Sequence, residues 1–167
     1  TGGLLHKIEG TNFTGSLLVG HSTTGGVSSA LNNTGVGIGA LDALTTGDNN
    51  IAIGQNAGTL INSGTENVLI GQASGDALTT GNYNVAIGHE TLSNEDTHSG
   101  NVAIGHLALR ALNAGADAYN VAVGYLAGLN VSTGVQNTII GALAGDALNS
   151  GEFNTVVGYR ALTEAGT

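Results

Sequence analysis

The sequence predicts an all-β solenoid: a coil of about nine rungs, each about 17 residues long. Three observations carry this prediction. A short apolar phrase ending in glycine recurs along the 167-residue chain, valine and isoleucine hold fixed places within it, and asparagine usually precedes it. Each phrase is too short to bury its faces alone, so the copies must stack on one another as a β-solenoid or β-roll.

The repeat is anchored on the glycine that closes each apolar phrase. Successive closing glycines lie 19, 15, 17, 17, 17, 19, 17 and 17 residues apart. They are Gly20, Gly39, Gly54, Gly71, Gly88, Gly105, Gly124, Gly141 and Gly158. We therefore expect one repeat domain over residues 16–167, preceded by a lead-in segment or cap over 1–15. The chain starts at Thr1 rather than Met, and we interpret it as a fragment of a longer polypeptide.

The apolar phrase has the composition of a β-strand. In "NVAIG" (101–105), valine and isoleucine flank a small residue between asparagine and glycine. Such β-branched runs with turn residues at both ends predict strands, and stacked copies predict a parallel sheet. Asparagine precedes seven of the nine phrases, which suggests a ladder of stacked side-chain amides.

A second phrase, such as "GDALTTG" at 75–81, links the strands. We expect its leucine to point into the rung interior, at Leu44, Leu78, Leu112 and Leu148. Its closing glycine suits a turn with positive φ, at Gly47, Gly64, Gly81, Gly115, Gly134 and Gly151. The pattern does not distinguish a second strand from a single helical turn here.

The two faces of each strand predict self-association. Side chains alternate along a strand, so the middle residue faces away from its two neighbours. The middle column is apolar and mostly small, which implies that both faces of the sheet are covered. We assign an inter-chain contact to seven of its members: Ala52, Leu69, Ala86, Ala103, Ala122, Ile139 and Val156. A homotrimer, intertwined or side by side, is favoured; the alternative is a monomer whose linker covers that face.

Composition excludes several classes of partner. The net charge of −9, with only three basic residues, argues against nucleic acid. No apolar run approaches the roughly 20 residues of a membrane span, so membrane insertion is not expected. Absence of cysteine excludes thiolate metal sites. No nucleophile constellation or carboxylate spacing indicates catalysis, so we expect no enzyme and no cofactor.

Two histidines are weak candidates for metal ligands. His89 and His106 lie one repeat apart, which would stack their rings about 5 Å apart. The same column also contains glutamine, alanine and tyrosine, which favours a solvated ladder over a metal site. The acidic "NED" at 94–96 interrupts the linker pattern, and without calcium-loop spacing we interpret it as a solvated turn.

Aromatic residues at two positions of the repeat are candidates for carbohydrate contact. They are Tyr83, Tyr119 and Phe153 before the asparagine column, and Tyr125 and Tyr159 after the closing glycine. Rings among asparagine and threonine can stack on sugars, but they can equally cap the core edge or join a subunit contact. Ice binding is a less favoured alternative because the threonines do not form a continuous row along the repeats.

The repeated "N-V-A-I-G-x-x-A-L" phrase with "L-T-T-G-x-x-N" linkers resembles the stems of bacteriophage tail fibres, especially those of marine phages. It is also similar to the "S-V-A-I-G" head repeats of trimeric autotransporter adhesins, whose repeats are shorter. The resemblance implies an elongated, extracellular or virion-borne trimeric fibre segment. It would act as a shaft or stalk that presents a receptor-binding part for host attachment. No residue role is carried over, because the likeness lies in structural columns.

Overall fold

A computed structural model describes residues 6–8, 15–20 and 29–163. Within these ranges the chain is all-β, without a helix, and forms one ten-stranded sheet in sequence order. The strands are β1 (His6–Ile8), β2 (Leu17–Val19), β3 (Thr34–Val36), β4 (Ile51–Ile53), β5 (Val68–Ile70), β6 (Val85–Ile87), β7 (Val102–Ile104), β8 (Val121–Val123), β9 (Thr138–Ile140) and β10 (Thr155–Val157). β1 pairs antiparallel with β2, and β2 to β10 are nine parallel strands. The predicted β-solenoid is confirmed.

Paired residues of neighbouring parallel strands lie 17 residues apart, except for 19 between β7 and β8. The strand of the second copy lies two residues earlier than the sequence predicts. β3 ends at Val36, so Gly37 closes it rather than Gly39, and the apparent spacings of 19 and 15 become 17 and 17. The phrase "GVGIG" allows either placement from composition alone. Most of the predicted lead-in segment, namely residues 1–5 and 9–14, lies outside the described ranges.

Asparagine side chains form a buried ladder beside the sheet. Asn67 Nδ2 donates to Asn50 Oδ1 at 3.0 Å and to the Gly81 carbonyl at 2.8 Å, and Asn84 N–H donates to Asn67 Oδ1 at 3.0 Å. The ladder also includes Asn33, whose Oδ1 accepts from the backbone and the side chain of Asn50. This contact fixes the register of β3. The predicted amide ladder is therefore present, and it satisfies amides that would be costly to bury unpaired.

The coil closes on the opposite side of the strand from the one that we expected. The middle residues Ala52, Leu69, Ala86, Ala103, Ala122 and Ile139 are all 0% exposed, and Val156 is 7% exposed, in a single chain. They lie in the solenoid interior, so their assignment to an inter-chain contact is wrong. A rung of this size encloses little space, and the middle side chain of each strand, most often alanine, lies within it. The two flanking residues of each strand face outward.

The linkers between β3 and β10, which the structure describes in full, are neither strands nor helical turns, but successions of tight turns. Each full rung places residues with φ near +50 to +75° two and four positions after the closing glycine, as at Ala73 and Gly75, and one position before the ladder, as at Tyr83. The predicted inward leucines are confirmed: Leu44, Leu78 and Leu112 are 0% exposed and Leu148 is 8% exposed.

The linker-closing glycines other than Gly115 are needed for space rather than for positive φ. None of the six has a φ in the left-handed region. A Cβ on Gly64 would instead lie 2.5 Å from the Gly81 carbonyl oxygen of the next rung. Stacked backbones approach too closely here for a side chain, which corrects the reason we gave for the glycine column.

Candidate binding surfaces

The outward face of the parallel sheet carries two parallel ranks of side chains. The first rank is Leu17, Thr34, Ile51, Val68, Val85, Val102, Val121, Thr138 and Thr155. The second is Val19, Val36, Ile53, Ile70, Ile87, Ile104, Val123, Ile140 and Val157. Fifteen of these eighteen residues are aliphatic, three are threonine, and none is charged. Ile53 is 39% exposed and Ile140 41%, so the face is apolar yet open to solvent.

The area of this face is comparable to that of the largest apolar patch on a typical soluble protein. Nine strands spaced by about 4.8 Å span about 40 Å, and the two ranks lie about 7 Å apart. With side-chain width included, the strip covers roughly 400 Å², a size at which apolar patches on soluble proteins often serve in binding.

The two candidate histidines lie in an aromatic stack. The His89 and His106 rings are 5.2 Å apart at 10°, and Tyr125 extends the stack 5.3 Å beyond His106 at 14°. Metal ligation uses lone pairs in the plane of each ring, and such lone pairs on parallel rings run side by side rather than converging. This geometry suits ring packing better than a shared ion.

The candidate sugar-contact aromatics lie along two different edges of the strands. Tyr83, Tyr119 and Phe153 precede the ladder, adopt φ of 58°, 48° and 59°, and are 55–71% exposed. Tyr125 and Tyr159, 54% and 72% exposed, follow the closing glycine. The five rings therefore do not form one ridge.

Gly100 occupies the rung between Tyr83 and Tyr119. A Cβ on Gly100 would lie 2.6 Å from Tyr119 Cδ1, so the Tyr119 ring lies over this glycine. The Tyr119 hydroxyl lies 3.5 Å from Asp117 Oδ2. The ring thus has a defined position on the surface although it is more than half exposed.

A third cluster was missed from the sequence. Glu95 is 0% exposed, so the "NED" linker is not simply a solvated turn. His98 Nδ1 lies 2.7 Å from Glu95 Oε1 and 4.0 Å from Asp96 Oδ1. The available signal was the alignment of linkers, in which Glu95 falls in the same column as the inward Leu78 and Leu112.

A further acidic residue is poorly solvated. Asp76 Oδ1 is buried without a hydrogen-bond partner. Burial raises the pKa of Asp76 above its ordinary 3.8, and the neighbouring carboxylate of Glu90 raises it further, while backbone N–H groups partly oppose the shift. Glu90 is itself paired with Arg110, whose Nε lies 3.0 Å from Glu90 Oε2.

Comparison with known proteins adds no relative. The chain matches no protein-family model, no curated protein and no solved structure. Among the residues that the structure describes, no helix is long and apolar enough to cross a membrane. The assignment of a function therefore depends on the geometry of the solenoid and on the resemblance of its repeat.

Proposed function

We propose that this chain is a structural shaft segment of an extracellular or virion-borne fibre, built by side-by-side association of its solenoid as a homotrimer. The observation that carries the proposal is the outward face of the sheet, with fifteen aliphatic and three threonine side chains in two ranks. Its role is mechanical: to hold a receptor-binding part away from a particle or cell during host attachment. No catalytic step is proposed.

A second copy of the same chain is the occupant that fits this face best. Both ranks repeat at the strand spacing, so another copy offers side chains at an identical interval over the full length. The chain carries a net charge of −9, yet the face contains no charged residue, so two copies can meet there without opposing carboxylates. Burial of aliphatic surface would contribute about 25 cal/mol per Å².

The presence of two ranks favours a ring over a twofold pair. If the first rank of one chain contacts the second rank of the next, the contact is heterologous, and it forms a closed ring when the rotation between neighbouring chains is a whole fraction of a turn. Each chain then contacts two neighbours, which increases the area buried beyond a single strip. Three copies is the number that the resemblance to fibre stems implies.

The experiment is a measurement of solution mass by light scattering on a sizing column. The parent chain is expected near three times its 16.4 kDa mass. The variant Ile53→Glu/Ile140→Glu, which places charges on the outward face, is expected near 16.4 kDa. The matched control Ser63→Glu/Thr133→Glu adds the same charge at exposed linker positions and should remain trimeric.

A monomeric parent chain would contradict the proposal, as would a face variant that stays assembled. Circular dichroism of each variant establishes that the solenoid is intact. This matters because a change of mass then reports on the contact rather than on folding.

A second candidate is carbohydrate binding by the rod surface, favoured by the exposed rings of Tyr83, Tyr119 and Phe153 in the left-handed conformation. A glycan array with the parent chain and Tyr119→Ala tests it. Binding that is lost in the variant would support this role, and an array without any bound glycan would count against it.

A further inference from the structure

We propose that the corner formed by Glu95, Asp96 and His98 binds a divalent transition-metal ion of the Zn²⁺ class. One imidazole nitrogen and two carboxylates make a ligand set that such ions accept, with solvent completing the coordination. The three ligand atoms lie within 4.8 Å of one another. A metal about 2.1 Å from each needs ligand atoms roughly 3–3.5 Å apart, and the separations of 2.7 and 4.0 Å at His98 Nδ1 lie on either side of that range.

Glu95 is the first departure from the repeat at this corner. It is fully buried in a column that is otherwise aliphatic. The other members are Leu44, Ile61, Leu78, Leu112, Val131 and Leu148. A buried carboxylate is costly unless it is paired and hydrogen-bonded. The backbone N–H of His98 donates a hydrogen bond to Glu95. A divalent cation would in addition neutralise the charges of the Glu95 and Asp96 carboxylates.

His98 is the second departure, because it occupies the linker-closing glycine column. A Cβ at the equivalent Gly64 or Gly81 would lie 2.5 Å from a carbonyl oxygen of the following rung. A side chain at position 98 therefore needs the next rung to be displaced.

The next rung supplies this displacement. It is two residues longer than the others, since Tyr119 follows Gly115 by four positions whereas Tyr83 follows Gly81 by two. A Cβ on Gly115 would have nothing within 4 Å, so the stack is open at this point. The buried carboxylate of Glu95, the side chain of His98 and the two-residue insertion thus lie in one corner. The carboxylate needs a partner, His98 provides one, and the insertion provides the space for His98.

Neighbouring groups orient the ligands. Backbone N–H groups of His98 and Ala114 approach Glu95 at 3.2 and 3.4 Å, which fixes the plane of the buried carboxylate. The Thr97 hydroxyl donates to Asp96 Oδ1 at 3.1 Å and lies 3.5 Å from His98 Nε2. Outer contacts of this kind commonly position metal ligands. The side chain of Asp96 is 49% exposed and that of His98 is 20% exposed, which gives an ion access from solvent.

The test is isothermal titration of the chelator-treated chain with ZnCl₂ at neutral pH. One Zn²⁺ per chain is expected, with a rise in melting temperature on binding. Glu95→Leu and His98→Gly restore the residues that the other rungs carry, and each is expected to raise the Kd about tenfold or more. The control His89→Gln/His106→Gln replaces the stacked histidines with glutamine, the residue that Gln72 already provides at the same repeat position. This control should bind Zn²⁺ as the parent does.

Asp96→Asn keeps the test decisive if the interior variants change folding, because Asp96 lies at the surface and does not belong to the core. It too should weaken binding about tenfold or more. Absence of Zn²⁺ binding by the parent chain would overturn the proposal. So would a Kd that Asp96→Asn leaves unchanged, or one that depends on His89 and His106 instead.

Discussion

Leu69 fills the space that a side chain at Gly75 would need, because a Cβ on Gly75 would lie 2.7 Å from Leu69 Cδ2. The next rung reverses the sizes: Ala86 takes the strand position and Leu92 takes the position of Gly75, both 0% exposed. Ile139 with Gly145 follows the first arrangement. A large residue thus stands at one of the two places in these rungs. Where both places are small, as at Ala52 and Gly58, large side chains of the neighbouring rungs such as Leu69 fill the space. This sharing explains why the middle column is mostly small without being uniform.

A pairwise exchange between the two places tests this packing. Leu69→Ala should lower the free energy of unfolding by about 3 kcal/mol through the cavity that it leaves. Gly75→Leu alone should destabilise the chain through a clash. The double variant recreates the Ala86–Leu92 arrangement and should recover most of the loss. Denaturant unfolding should therefore show a coupling energy above about 1 kcal/mol, and simple additivity would contradict the size exchange.

Two glycines should respond oppositely to the same substitution. Gly88 has φ 142°, and its Cβ would lie 2.5 Å from the Gly105 carbonyl oxygen, so Gly88→Ala should cost about 2 kcal/mol or more. Gly115 has open space and a φ outside the left-handed region, so Gly115→Ala should change stability by less than about 1 kcal/mol, in the stabilising direction. Thermal unfolding of both variants checks this, and equal losses would show that stacking distance is not the constraint.

The repeat, its period and its strands were predictable because each depends on local composition that recurs. The orientation of the strand was not. Alternation shows that Ala103 and Ile104 face opposite ways, but both are apolar, so the pattern does not decide which of them lies inside; in the structure it is Ala103. The deciding quantity is the width of the rung. That width is set by turns in which Leu107 and Leu109 adopt positive φ, a conformation that leucine does not signal in a sequence.

The candidate sites also differ in how far the sequence alone predicts them. The spacing of His89 and His106 follows directly from the period, so their stacking could be anticipated. The cluster at Glu95 could not be recognised from spacing within its own linker. It depends on aligning that linker with its neighbours, and on the two extra residues in the following rung that make room for His98.

Substitution of a single asparagine of the ladder should lower the stability of the chain. Asn67→Ala removes the donor to Asn50 and Gly81 and the acceptor for the Asn84 N–H, leaving buried groups unpaired. The free energy of unfolding should fall by about 3 kcal/mol. Asn67→Asp should also destabilise, since it places a carboxylate oxygen against two acceptors.

Asn62 provides the control for the ladder, because its side chain is exposed. Asn62→Ala should change the free energy of unfolding by no more than about 0.5 kcal/mol. Equal effects at Asn62 and Asn67 in urea unfolding would mean that the ladder contributes nothing beyond ordinary substitution.

Asp76 should make stability depend on pH in a direction opposite to that of a paired carboxylate. Its pKa is raised in the folded chain by burial and by Glu90, so the folded state binds a proton more readily than the unfolded state does. Stability then falls as pH rises from the ordinary 3.8 through the raised pKa, and the deficit persists at neutral pH. Asp76→Asn removes this ionisation and should raise the melting temperature at neutral pH. The difference from the parent should close as pH falls toward 3.8.

Asp146 occupies the same place in its own rung and provides the matched control. Its Oδ1 accepts a hydrogen bond from Asn130 Nδ2 at 2.6 Å, so Asp146→Asn removes a charged acceptor instead of an unpartnered one. No gain in melting temperature is expected from it. A gain of equal size in both variants would point to the lower net charge of the chain as the cause. A gain at Asp76 that stays constant down to acidic pH would exclude burial of its charge as the source.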